Sequence, residues 1–348
     1  MTFTSLELAD FILRGIATGQ LLHMGLAHGS TQPHAIRISQ RATISCMVAY
    51  LWLTAPLPDQ FYGHWRGLLL LLTDGLIYCL WLLASYSFRD HFSLVRLPLW
   101  LQGLLTLYAA WFAYFFVIQQ GVGLFHTINH VLVIVLALHI VYLAIHDYQD
   151  DLLDKRRRAR IQVTCLVCVY LVFLAGVELA PEFIRHHRLY SPTNAVLVVL
   201  ALVTYTVYAK NNRLSEALAP AAVFTQPQTA PHPLRQKLDQ FIDSKAYQQT
   251  GLNLAALADH LNCSEYQLRK YISTELGYRN FSDFLNQHRL TDASVQLSNP
   301  ELSSTPILTI ALNCGFGSIG PFNRAFKLRF DCTPSEYRQT RLKTSQLQ

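Results

Sequence analysis

Charge is scarce in this chain. Asp, Glu, Lys and Arg make up 14% of its 348 residues while hydrophobic types reach 51%, totals that suit no single soluble class. The shortage is local. Residues 1–213 carry 15 Lys and Arg, mostly between long apolar runs, whereas residues 233–348 have ordinary polarity, with 13 Lys and Arg against 10 Asp and Glu. Such a split describes a membrane part followed by a soluble part. The opening residues lack the basic start of a cleavable signal, and Glu7 and Asp10 sit beside the first apolar segment; the expectation is that nothing is removed. Cysteine comes in an odd number, seven, without regular spacing, which argues against a disulfide framework and for a reducing compartment around the soluble half. That half also lacks a phosphate-binding loop, a kinase or receiver pattern, a nucleophile–base set and metal-ligand spacing. The chain is therefore expected to be no enzyme and to carry no cofactor or metal.

What is present in the first half is a series of apolar runs near the length needed to cross a bilayer, about 20 residues each. Seven candidates run from about Leu6 to Ala27, Ala42 to Leu57, Arg66 to Phe88, Leu97 to Gln119, Leu124 to Ile145, Ile161 to Ala180 and Pro192 to Ala209. With seven spans and a cytoplasmic C-terminus the N-terminus lies outside. Eleven Lys and Arg then fall in or beside inner loops, including Lys155 to Arg158 and Arg160, against three outside, Arg66, Arg185 and Arg188. This bias agrees with the positive-inside rule.

Ionisable groups within spans are costly and usually face the bundle interior or water. At 1.5 Å rise per residue, Arg14 and Asp74 lie about 12 Å below the outer surface and His130 about 9 Å, and Glu178 and Asn194 come near the same face. These five residues from five spans form a candidate ligand pocket opening outward. The competing reading is a set of structural pairs, such as Asp10 with Arg14 one helical turn away. His126 and His130 share a helix face, with His139 deeper; hydrogen-bonded interior histidine is the default, metal or haem ligation the alternative. Cys165 and Cys168 form CxxC inside an apolar span and are expected to pack as small apolar residues. Gly15 and Gly19 make a GxxxG that suggests a close helix contact, within the chain or with a second copy.

From Ser215 to Pro233 four prolines, few charges and no periodicity describe an extended linker. Beyond it helical periodicity returns. Asn253 caps a short helix over Leu254 to Leu261, Asn262 and Cys263 make a tight turn, and a second helix runs from about Ser264 to Glu275. A long helix follows from about Phe281 to Leu297, and then the outline repeats. Ile307 to Asn313 is a short helix, Cys314-Gly315-Phe316-Gly317 a turn, and Ser318 to Phe330 a second longer helix. Two such helix-turn-helix units could enter successive major-groove segments about 34 Å apart.

The stretches LAALADHLNCSEYQLRKYISTELG, NFSDFLNQHRL and PILTIALNCGFGSIGPFNRAFKLRFDCTPSEYR carry a resemblance. Together they resemble the DNA-binding domain of AraC/XylS-type regulators over about a third of the chain. Ile310-Ala311, Gly315-Phe316, Phe322, Arg324, Phe326-Lys327, Thr333-Pro334 and Tyr337-Arg338 stand at the family's spacing. The wording further resembles a branch with an N-terminal multi-helix membrane region. Asp331 stands where the family usually has Gly, and GYRNF is one residue longer than the commoner spacing.

The resemblance implies an all-α protein: a transmembrane sensory bundle over 1–213, a Pro/Ala-rich linker over 214–232, and a soluble seven-helix domain over 233–348. Tyr266, Gln267, Arg269 and Lys270 from the first unit, and Ser318, Ile319, Asn323, Arg324 and Lys327 from the second, are the expected DNA-facing residues. Arg269 and Arg324 suit guanine, Gln267 and Asn323 adenine, and Lys270 and Lys327 phosphate. Arg324 has a structural alternative, pairing with Glu336 or Asp331. Leu268, Tyr271, Ile272, Phe322, Phe326 and Phe330 are expected in the core. Expected partners are double-stranded DNA, the lipid membrane, RNA polymerase, an unidentified small-molecule or membrane signal, and a second copy of the chain. The expected place is a bacterial inner membrane. A haem- or quinone-binding membrane protein, or a transporter-like receptor, fused to a regulatory domain is the alternative.

Overall fold

Long apolar runs without internal breakers satisfy their backbone only as helices when water is scarce, and the first half of the chain is built that way. The structure, a computed structural model, describes residues 4–27, 33–90, 92–179, 192, 195–196, 198–200, 202–203 and 233–345. It is all-helical apart from one isolated β-bridge among the described residues. The chain divides into two compact units, the second combining Asp147–Arg158 with the C-terminal part and the first taking the rest.

The fully described helices of the first unit are α1 Ser5–Ala27, α2 His34–Leu53, a short α3 Asp59–Tyr62, α4 Trp65–Phe88, α5 Leu99–Val117, α6 Leu124–His146 and most of α7 Asp154–Leu179, whose first residues belong to the second unit. Pro33, Pro58 and Pro98 stand at the N-caps of α2, α3 and α5, where a missing N–H costs no helical hydrogen bond. Among the described residues three helices, α4, α5 and α6, are long and apolar enough to cross a membrane. The expected spans from Leu6, Ala42 and Ile161 coincide largely with α1, α2 and α7, and most of the one from Pro192 lies outside the described residues.

Helix α4 is the hub, packing on α2, α5 and α6. At Gly67 a Cβ would stand 2.7 Å from the Val117 carbonyl oxygen, so glycine is what lets the start of α4 meet the end of α5. At the other end Arg160 is fully buried. It donates to the Leu143 carbonyl in the last turns of α6 (2.6 Å) and to the terminal Phe88 carbonyl of α4 (2.8 Å), with its guanidinium 4.9 Å from the Phe88 ring centroid. A cation there satisfies carbonyls left unpaired at helix ends and suits their negative dipole ends.

In the second unit the C-terminal α-helices are α8 Pro233–Asp243, α9 Leu254–His260, α10 Glu265–Thr274, α11 Phe281–Ser298, α12 Ile307–Asn313, α13 Ile319–Phe330 and α14 Pro334–Ser345. They enclose two apolar cores, and α11 serves both: Phe281, Phe284 and Leu285 in the first, Leu290, Ala293 and Leu297 in the second. Between them Arg289 is buried, donating to the carbonyls of Tyr247 and Gln249, each at 2.8 Å. Asp292, one turn on, accepts from the Tyr247 hydroxyl (2.7 Å) and the Gln248 amide (2.6 Å).

The first core has an unexpected member. Leu152, from the segment between α6 and α7, is 2% exposed and packs with Leu238, Phe241 and Phe281. Its backbone N–H donates to the Arg279 carbonyl (3.0 Å), and the Phe281 N–H donates to the Asp150 carbonyl (2.9 Å). Together they make an antiparallel bridge between Asp151 and Asn280. The linker expected at 214–232 lies outside the described residues.

Candidate nucleic-acid interface

Two short-helix, turn, longer-helix elements present the candidate residues. In the first, the Asn253 side chain caps α9 by accepting from the Ala256 N–H (2.9 Å), and Asn262 makes the turn at φ 49°, a left-handed conformation that Asn tolerates. Ser264 then starts α10 with a reciprocal capping box, its hydroxyl accepting from the Gln267 N–H and the Gln267 side chain accepting from the Ser264 N–H. Leu268, Tyr271 and Ile272 are buried, as their spacing predicts.

In the second element, Gly315 turns the chain at φ 91°, where a Cβ would stand 2.5 Å from the Gln248 carbonyl oxygen. No other residue fits that approach. Ser318 is the N-cap of α13, Phe322 and Phe326 are fully buried, and Phe330 packs half-buried against the same core. Helix α13 ends at Asp331 in the left-handed region, φ 58°, the conformation that makes glycine the usual residue there. Burial pushes the neighbouring core thiol, Cys314, up to about 11.

The expected DNA-facing residues separate into two groups. Ser318, Ile319, Asn323, Arg324 and Lys327 all stand exposed on α13. Among the described residues Arg324 makes no ion pair, and Glu336 instead accepts from the Thr333 N–H (2.8 Å). On α10, Tyr266 and Lys270 are exposed, Gln267 is committed to the capping box, and Arg269 is engaged. Only 12% of the Arg269 side chain is exposed; it pairs with Asp154 (3.8 Å) and Glu265 (3.6 Å). Burial, then the charge of Arg157, lowers its pKa, while Asp154 and Glu265 oppose them.

Residues 257–340, which take in all of the second element and the first from midway along α9, match a family described as helix-turn-helix domain. Regulatory protein SoxS of Escherichia coli strain K12 is 34% identical over 101 residues, covering 29% of this chain and 85% of that protein. SoxS of Salmonella typhimurium is 33% identical over 103 residues, 30% of this chain and 91% of its own length. The chain belongs to the AraC family of transcription regulators. Multiple antibiotic resistance protein MarA of Escherichia coli strain K12 is similar at 27% identity over 94 residues, 27% of this chain and 71% of MarA. No solved structure matches at a significant level. This AraC-family chain is thus a helix-turn-helix, DNA-binding transcription regulator whose relatives are regulators, not enzymes.

The residues expected to line a membrane pocket lie in separate clusters. Arg14 is fully buried and pairs with Asp10 (3.1 Å), one turn away; it also donates to the Leu51 carbonyl and to the Thr54 hydroxyl and carbonyl. Asp74 on α4 meets α6: its Oδ1 accepts from the Asn129 amide (3.1 Å) and stands 3.8 Å from His126 Nε2. Asp74, His126 and His130 hold one ligand atom each within 4.8 Å of one another. Asn194 and the side chain of Glu178 lie outside the described residues. The deeper His139 accepts from Trp81 Nε1 (2.8 Å).

Sequence reasoning missed Arg289, Leu152 and the role of Asn129. For Arg289 the one available signal was a charged residue among apolar positions at helical spacing on α11.

Proposed function

We propose that this regulator is embedded in a bacterial inner membrane by about seven helices, N-terminus outside, and binds specific DNA through two helix-turn-helix motifs under control of a signal received by the bundle. The observation that carries the membrane half is outward-facing apolar surface. On α5 alone Leu99, Trp100, Leu104, Leu107 and Trp111 are exposed, a density that water-soluble surfaces avoid and a bilayer solvates. The DNA half rests on family membership and on the exposed polar row of α13. Asn323 and Arg324 are assigned to base edges and Lys270 and Lys327 to phosphates, with RNA polymerase and a second copy of the chain as further partners.

The segment Asp147–Arg158 is the assigned route of the signal. It continues α6 and begins α7 in the chain, and belongs by packing to the DNA-binding unit. Fusion of a periplasm-dependent phosphatase after residue 186 should be active and fusion after residue 158 inactive. The reverse pattern would place the DNA-binding domain outside the cytoplasm and refute the reading.

A further inference from the structure

The unused chemistry in the first unit is concentrated where α4 meets the beginning of α6. His126 and His130 are one helical turn apart, so their rings project from one face of α6, with ring centroids 4.6 Å apart. Asp74 on α4 faces them. The 3.8 Å between His126 Nε2 and Asp74 Oδ1 is too long for a hydrogen bond. It is close to the spacing of two ligands on one tetrahedral ion, about 3.3 Å for metal–ligand bonds of 2.0–2.1 Å. The three ligand atoms all lie within 4.8 Å of one another, a spread that side-chain rotation closes to that spacing.

The surroundings are those of a ligand set. His126 Nδ1 lies 3.2 Å from the Gly121 carbonyl, an acceptor that places the ring proton on Nδ1 and leaves the Nε2 lone pair toward Asp74. The same Asp74 Oδ1 accepts from the amide of Asn129, itself fully buried. The Asn129 carbonyl accepts from the Tyr78 hydroxyl (2.6 Å), which also bonds the Tyr108 hydroxyl (2.7 Å). This chain fixes the carboxylate's orientation, as partners of metal-bound carboxylates do. Among the described residues His130 makes no hydrogen bond, so its ring nitrogens are uncommitted.

We infer that Asp74, His126 and His130 bind one divalent transition-metal ion of the zinc class, with a fourth position open to solvent or a small ligand. Two imidazoles and one carboxylate suit such an ion and are poor ligands for calcium or magnesium. Three ligands with an open position make a site that exchanges its ion. Use of that ion as the input signal rests on the regulator reading above; metal binding itself does not.

The test uses the full chain in lipid nanodiscs, stripped with chelator and titrated with zinc against a chromophoric competitor. One equivalent per chain is expected. Asp74→Asn and His130→Ala should each weaken binding at least 10- to 100-fold, the loss typical of even an outer-shell partner. Cobalt should give visible ligand-field bands, and His130→Cys should add a thiolate-to-cobalt charge-transfer band, a gain of signal that a misfolded variant cannot imitate. No stoichiometric uptake by the wild type, uptake indifferent to both substitutions, or no new band with His130→Cys would each overturn the site. Promoter activity across a zinc range then tests the input role: a flat response with an occupied site refutes that role and leaves the DNA-binding reading standing.

Discussion

Freeing Arg269 should tighten DNA binding by the full-length protein. Its partner Asp154 is 46% exposed and lies 3.8 Å away. The gross attraction is about 4 kcal/mol at an effective dielectric of 20 and about 1 kcal/mol in bulk water. Half-exposed pairs net only about 0.2–1 kcal/mol once screening and side-chain entropy are counted. The geometry favours the low side of that range, because both carboxylates stand beyond hydrogen-bond distance and Arg269 Nε is buried without a partner. At about 0.2–0.5 kcal/mol, Asp154→Ala should therefore raise operator affinity about 1.4- to 2.3-fold, as 1.4 kcal/mol corresponds to tenfold. If Arg269 reads a base, Arg269→Ala should lower affinity by about 1–3 kcal/mol, and in that background Asp154→Ala should have no further effect. Fluorescence anisotropy with labelled operator and nanodisc-embedded protein measures all four corners of the cycle. An Asp154→Ala effect of the same size in the presence and absence of Arg269 would refute the reasoning.

Other expectations follow from packing and titration. Leu152→Ala should cost the C-terminal unit about 2–5 kcal/mol; hydrogen exchange should then show protection of α9 and α11 amides falling at least tenfold, with α13 changing less because it lies in the second core. Gly315→Ala should cost at least about 1–3 kcal/mol from its backbone conformation alone, read by hydrogen exchange of the α12 and α13 amides in the full-length protein, with the clash against Gln248 adding to it. His288 has its pKa lowered from 6.5 by burial and then by Arg329, against a raising effect of Asp292. The unfolded chain therefore takes up the proton first, so stability is full above about pH 6.5 and declines as pH falls toward the depressed native value. His288→Gln should flatten that decline in denaturation curves taken between neutral and mildly acidic pH.

Much of the C-terminal unit was legible because its signals are local. Caps, glycines and apolar positions at helical spacing belong to neighbouring residues, so Asn253, Ser264 and Gly315 mark the elements where α9, α10 and the second turn occur, and Leu268, Ile272, Phe322 and Phe326 fall in the cores. The resemblance to AraC-type regulators was legible for the same reason, being carried by short runs at set spacing. Even the departure at Asp331 has a local explanation, since its left-handed backbone is one that a short polar side chain can adopt.

What only the tertiary structure decided involves partners far apart in the chain. Apolar periodicity places Leu152 in a loop between spans, but only packing puts it in a core built from residues beyond Pro233. Exposure on a helical wheel offers Arg269 to DNA, yet Asp154 reaches it from another segment. Similar depth grouped Arg14 with Asp74 and His130, whereas helix rotation sets Arg14 against Asp10, Leu51 and Thr54 and turns Asp74 toward His126 and Asn129. Depth follows from counting residues at a fixed rise; the direction a side chain faces depends on which helices pack together, and no single span contains that information.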